Sequence, residues 1–365
     1  MQHVRVHPTQ EAFRAPVGLR PPDVGRAYVD RLLGDTRDER GNARYSASMG
    51  RLLSVAAGWA YSSDAEMVSN VLHRNGLLDN HCEYIGITND ALFVCARAYF
   101  IQSQGGRLGI LCFRGTEPSN ILSWMTDASV APDPFIGVTA SAGQVHGGFY
   151  RNVMALWPSL LESLEKALQG RSVSDDTDPT TAPKPMLRKL EALYITGHSL
   201  GGAMAALAGA LLYQGAERDR ELYVQLRRVL RGVYTYGQPM VGDAAFAKEC
   251  GSFDSRLFRH VYKNDIVPHM PPLATGRFTH FGREYHWSDT TQQWEPGTSN
   301  ARQVRTLFVS SALGVLDWFG QQLASLRRLK LALPYSWEAH SPVHYMRTAI
   351  RQTPRHRSEF GEAHA

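Results

Sequence analysis

The sequence predicts an α/β chain with a central, mostly parallel sheet flanked by helices, and three observations carry that reading. Short apolar or β-branched runs at 109–113, 193–196, 232–237 and 257–262 read as buried strands. Segments with apolar residues at helical spacing lie among them, at 46–61, 150–168 and 203–212. One strand breaks at Gly197-His-Ser199-Leu-Gly201 and restarts as a helix of small residues. With 365 residues and 43% apolar content, the chain is long enough for one large core with insertions.

Residues 1 to 45 are rich in Arg, Pro, Gly and Asp without sustained periodicity, and are expected to form an irregular segment ahead of a main domain at 46–350. Met49, Leu52, Leu53, Val55, Ala56 and Trp59 then mark one helical stripe, and 64–72 a second short helix. The stretch 84–101 reads as a hairpin turning at Asn89-Asp90. The strand at 109–113 ends at Arg114-Gly-Thr116, so a hydroxyl and a backbone N–H of Thr116 fall at a strand end. A short amphipathic turn at 119–128 carries Trp124, precedes the break Pro132-Asp-Pro134 and has the make-up of a lid. Val145-His-Gly-Gly-Phe149 leads into the helix at 150–168, and the Ser, Asp, Thr and Pro content of 169–184 marks a surface insertion.

The serine motif is the densest chemical signal. In a strand–turn–helix setting the turn is so tight that a side chain two residues before or after the serine collides with backbone, which favours glycine at 197 and 201. The same geometry strains Ser199, exposes its hydroxyl and brings the first N–H groups of the next helix near it, as a nucleophile requires.

Downstream, 257–262 runs into Asn264-Asp-Ile-Val-Pro268, which puts Asp265 where a strand stops, on the rim of the sheet shared with Ser199. Residues 278–287 read as one strand with His280 and Glu284 on a common face. Within an insertion at 298–335, the stretch 305–333 is helical in pattern. Asp317, Gln321 and the cluster Arg327-Arg-Leu-Lys330 interrupt it too often for a membrane span. A helix capping the core is the first expectation there, and an interfacial helix with its arginines at lipid headgroups is the second. A short helix follows His340-Ser341, and residues from 347, with 351–365 as a basic tail, are expected to be mobile.

The net charge of +5 and pI of about 9.0 come from scattered Lys and Arg, so nucleic acid is not implied, while weak attraction to an anionic membrane surface is. Cys82, Cys95, Cys112 and Cys250 lack metal-ligand spacing and read as buried free thiols, and no metal or cofactor is implied. The first residues hold no apolar run of a signal peptide, which makes a cytoplasmic location the expectation, with peripheral membrane contact compatible with it. Oligomeric state has no signature in the sequence.

Phe113-Arg-Gly-Thr116, Trp124 with Asp127, Val145-His-Gly-Gly-Phe149, Gly197-His-Ser-Leu-Gly-Gly202, Tyr236-Gly-Gln-Pro239 with Val241-Gly242, Asn264-Asp-Ile-Val-Pro268 and His340-Ser341 with Tyr345 occur in this order. Together they resemble the class 3 lipases over about residues 90–346. The resemblance implies an α/β-hydrolase fold, from which the helical insertion before the histidine is a departure. It implies nucleophile Ser199, acid Asp265, base His340, an oxyanion hole at Leu200 N–H and Thr116, and Trp124 on a lid helix. His344, His280 and His286 are rivals for the base. The activity implied is serine carboxylester hydrolysis of lipids, acylglycerol or phospholipid. The alternative class is a catalytically idle, membrane-associating or interaction protein on the same scaffold.

Overall fold

The computed structural model describes residues 23–36, 43–92, 94–115, 132–135, 143–174, 187–214, 220–271, 278–297 and 336–353. The first described element is helix α1 (Asp23–Gly34), followed by α2 (Ala47–Trp59) and α3 (Ala65–Arg74). Strands β1 (His81–Asn89), β2 (Val94–Gln102) and β3 (Leu108–Phe113) follow. Two short strands, β4 (Pro132–Pro134) and β5 (Gln144–His146), precede the long helix α4 (Gly147–Leu168). The serine unit is β6 (Ala192–His198) and α5 (Leu200–Gln214), followed by α6 (Arg220–Val229) and β7 (Leu230–Tyr236). Then come β8 (Gly242–Asp243), α7 (Ala244–Glu249), β9 (Leu257–Val261), β10 (Phe278–Thr279), β11 (Arg283–Ser288), β12 (Gln293–Pro296) and α8 (Pro342–Gln352).

Eight strands form the main sheet in the order β1-β2-β3-β6-β7-β9-β11-β12. The five from β3 to β11 run parallel, and antiparallel pairs close both edges. Because both faces of the parallel strands are covered, β3, β6 and β9 are buried along their whole length. Their side chains still alternate. Leu193 and Ile195 pack with α4 and α5, whereas Ala192 and Tyr194 pack with α1, α2 and α3. The expected hairpin is present, with Asn89 opposite Val94. Strands β10, β8, β5 and β4 make a second, small sheet. Among the described residues no helix is long and apolar enough to cross a membrane.

The structure corrects several expectations. Residues 23–34 are helical rather than irregular, because Val29 and Leu32 at i, i+3 spacing are buried against the α2–α3 layer. The strand expected at 278–287 is two strands, broken where Gly282 adopts φ +83°, so His280 lies on the connection and does not share a strand face with Glu284. The last helix runs on through Arg347 and Arg351 to Gln352, seated by buried Thr348 and Ala349. Cys112 and Cys250 are buried, but Cys95 is exposed, on an outward position at the start of β2. The expected helices at 119–128 and 305–333 lie outside the described residues, as does most of the insertion at 169–184.

Candidate active site

Ser199 sits between β6 and α5 with φ +60°, a left-handed conformation that costs a serine about 1–3 kcal/mol and persists only where its surroundings enforce it. Its N–H donates to the Tyr236 carbonyl (2.9 Å), and its own carbonyl accepts from Gly202 (2.9 Å) and Ala203 (3.2 Å), which starts the helix. The flanking glycines are sterically required: a Cβ at Gly197 would lie 2.2 Å from the Gly201 carbonyl oxygen, and one at Gly201 would lie 2.3 Å from that of Phe113. Leu200 opens α5, so its N–H is among those that precede the helix's own hydrogen-bond ladder and is available to another acceptor.

Asp265 lies just past the end of β9 and is fully buried. Its strand end is clamped to the segment carrying His340: Ser336 forms a parallel bridge with Asp265, and Ser336 N–H donates to Asn264 (2.8 Å). His340 ends a short 3-10 turn, Glu338–His340, and its Nδ1 stands 2.8 Å from Asp265 Oδ2 and 3.0 Å from Oδ1. The carboxylate also accepts from Val267 N–H (2.9 Å) and from the Tyr345 hydroxyl on α8, so three sets of donors hold it, none of them an Arg or Lys among the described residues. Burial first, and then the adjoining Asp265 charge, push the Tyr345 hydroxyl well above its usual range, which keeps it a donor. Gly237, at φ +58°, follows the end of β7, and a Cβ there would come within 2.8 Å of both Asp265 Oδ2 and His340 Nδ1. Nothing larger fits beside the pair.

Ser199 Oγ and His340 Nε2 are among the buried polar atoms that have no hydrogen-bond partner among the described residues. One is a hydroxyl awaiting an acceptor for its proton. The other is the ring nitrogen left over once Nδ1–H is spent on Asp265.

The rival histidines are occupied elsewhere. His280 Nε2 donates to the Pro268 carbonyl (2.6 Å), and burial pushes its pKa down to about 3. His286 Nε2 bonds Glu284 (2.6 Å), and His344 stacks on Tyr262 with ring centroids 5.1 Å apart. His198, inside the serine motif, donates through Nε2 to the His340 carbonyl (2.7 Å). Sequence reasoning missed that contact, along with Gly237 and the Tyr345–Asp265 bond. The motif placed His198 beside the serine, but no sequence signal gives its partner. Thr116 and Trp124 lie outside the described residues, so of the expected oxyanion and lid groups only Leu200 is seen.

A family model described as "Lipase (class 3)" matches residues 110–275, which hold the serine turn and Asp265. Over those residues the chain is similar to the class 3 lipases. The lipase of Rhizomucor miehei is 33% identical over 183 residues, 50% of this chain and 42% of that protein. A triacylglycerol lipase of Arabidopsis thaliana is 28% identical over 288 residues, 70% of this chain and 52% of that protein. The chain thus spans about half the length of the curated relatives it matches. Among solved structures, lipase II from Rhizopus niveus superposes with a TM-score of 0.50 at 26% identity, covering 69% of this chain and 84% of that one. The fold is that of an α/β-hydrolase. His340 falls beyond the residues matched to the class 3 lipase model, so its assignment rests on the geometry around Asp265.

Proposed function

We propose that this chain is a serine carboxylester hydrolase acting on lipid esters, with Ser199 as nucleophile, His340 as base and Asp265 as the group that holds and balances the base. The observation that carries the reading is a strained Ser199 at the same rim as a buried His340–Asp265 pair, with Ser199 Oγ and His340 Nε2 both unpartnered among the described residues. His340 Nε2 takes the Ser199 proton as Oγ attacks the ester carbonyl, and Asp265 stabilises the imidazolium that forms. Leu200 N–H, and Thr116 by family resemblance, receive the negative charge on the carbonyl oxygen. The C–O bond to the alcohol breaks, the alcohol leaves with the proton from His340, and water then attacks the acyl-enzyme by the same route in reverse.

Two features support a lipid ester as substrate: the class 3 lipase match, and the names of the relatives, which are lipases and triacylglycerol lipases. A fluorophosphonate probe should label Ser199, and product profiling from triacylglycerol emulsions and phospholipid vesicles should show released fatty acid. Ser199→Ala should keep the fold and lower kcat by about 10⁴ to 10⁶. A folded Ser199→Ala protein that still turns over ester at the parent rate would overturn the assignment.

A further inference from the structure

We propose that Tyr61 and His198 are positioning residues that hold the backbone of the base histidine from behind, a role that rests on the hydrolase reading above. The contacts form one chain. The Tyr61 hydroxyl is 2.8 Å from His198 Nδ1, and His198 Nε2 is 2.7 Å from the carbonyl oxygen of His340. A carbonyl only accepts, so the His198 proton is on Nε2. Nδ1 is then a bare lone pair, and Tyr61 is the donor. Both partners thereby select one tautomer of a ring that is 2% exposed. Burial, and then the neighbouring His340, drive the His198 pKa well below its ordinary value, so the ring stays neutral where its centroid lies 4.6 Å from that of His340. Neutrality matters there because the base becomes a cation during the reaction, and a second cation at that distance would oppose it.

The strut reaches three places that must keep register. His198 is the residue before the nucleophile, and its other partner, Tyr61, follows α2. A Cβ at Gly115 would lie 2.3 Å from the Tyr61 hydroxyl and 2.6 Å from the His198 carbonyl oxygen, so the hydroxyl occupies a notch at the end of β3. Asp265 fixes the ring of His340, while His198 fixes the main chain on which that ring is carried. Without the second tether the ring can swing about its Nδ1–Asp265 bond and move Nε2 away from Ser199. A displacement near 1 Å at a reacting atom costs on the order of 10²-fold in rate.

The test compares His198→Phe, which removes both bonds, with His198→Gln, whose amide at the same reach can donate to the His340 carbonyl and accept from Tyr61. Tyr61→Phe removes the outer bond alone. His198→Phe should lower kcat about 10²-fold with KM and thermal midpoint little changed, Tyr61→Phe should lower it by about tenfold, and His198→Gln should recover most of the loss. Proton NMR gives a readout independent of turnover: the low-field His340 Nδ1–H resonance should be sharp in the parent and in His198→Gln, and broadened in His198→Phe. Failure of the hydrolase reading appears as a parent that neither labels at Ser199 nor releases fatty acid, and the NMR comparison still decides the strut in that case. A His198→Phe protein with kcat within twofold of the parent, or one whose His340 resonance is unchanged, overturns the proposal. So does a loss that His198→Gln fails to restore.

Discussion

One histidine–carboxylate pair lies just past the end of β9 and another on the neighbouring strand β11, and their difference bears on which histidine can act as a base. At Asp265 the carboxylate is fully buried and accepts from His340, Val267 and Tyr345, with no Arg or Lys bonded to it among the described residues. At Glu284 the carboxylate is partly exposed and bonds both His286 (2.6 Å) and the guanidinium of buried Arg259 (3.0 Å). Burial alone would raise the Glu284 carboxyl, but the His286 bond and the Arg259 charge outweigh it and hold it well below the usual carboxylate range. His286 spends Nε2 on its carboxylate, whereas His340 spends Nδ1 and leaves Nε2 at the rim. Pairing with an acid is therefore not the mark of a base. What distinguishes His340 is which nitrogen the pairing leaves free and what stands beside it.

The largest expected effect breaks that comparison directly. His340→Ala should lower kcat by about 10⁴ or more, while His286→Ala and His280→Ala should each change it by less than about tenfold. Steady-state kinetics on one soluble ester suffices, and a dead His286→Ala protein beside an active His340→Ala protein would reverse the assignment.

The second region answers to stability instead. Glu284→Gln leaves the Arg259 guanidinium buried without its counter-charge, and should cost about 3 kcal/mol, at the low end for broken buried pairs because Glu284 is partly exposed. Urea unfolding measures it. The kcat of the folded protein should stay within about threefold, and a collapse of kcat at unchanged stability would place the ion network inside the catalytic device.

Acid separates the two regions more gently. Burial pushes the pKa of His146 down to about 4 and that of His260 to about 3, and lowers that of His198 behind the site as well. Below about pH 6.5 the unfolded chain takes up protons that these folded rings refuse, so stability falls with falling pH by up to about 1.4 kcal/mol per unit for each ring. Glu284 is depressed as well, by the His286 bond and the Arg259 charge acting against burial. Its contribution is complete above the ordinary carboxyl range and is lost only as pH falls below about 4.5. Unfolding free energies at successive pH values should decline from near pH 6.5 in the parent. His260→Phe should flatten that first decline and leave the later one in place. A parent with constant stability from pH 7 to pH 5 would contradict the buried neutral rings.

The sequence by itself determined the local parts of this protein. Gly197-His-Ser199-Leu-Gly201 between an apolar run and a small-residue helix specifies the strained turn, because steric exclusion at 197 and 201 acts over a few residues. The apolar strand runs gave β3, β6, β7 and β9, and hence a rim bearing both Ser199 and Asp265. Choosing His340 among its rivals needed family resemblance at the level of sequence, since nothing local distinguishes it from His280, His286 or His344. Only the tertiary structure brings His340 and Asp265, 75 positions apart, to 2.8 Å, the contact that supports the proposed choice. It also decided the break at Gly282, the helix at 23–34, the short-range packing of Gly237 against the pair, and the Tyr61–His198–His340 chain. The Gly237 packing and the Tyr61–His198–His340 chain depend on which strand ends are neighbours, and strand order is set by long-range pairing that residue-by-residue periodicity does not encode.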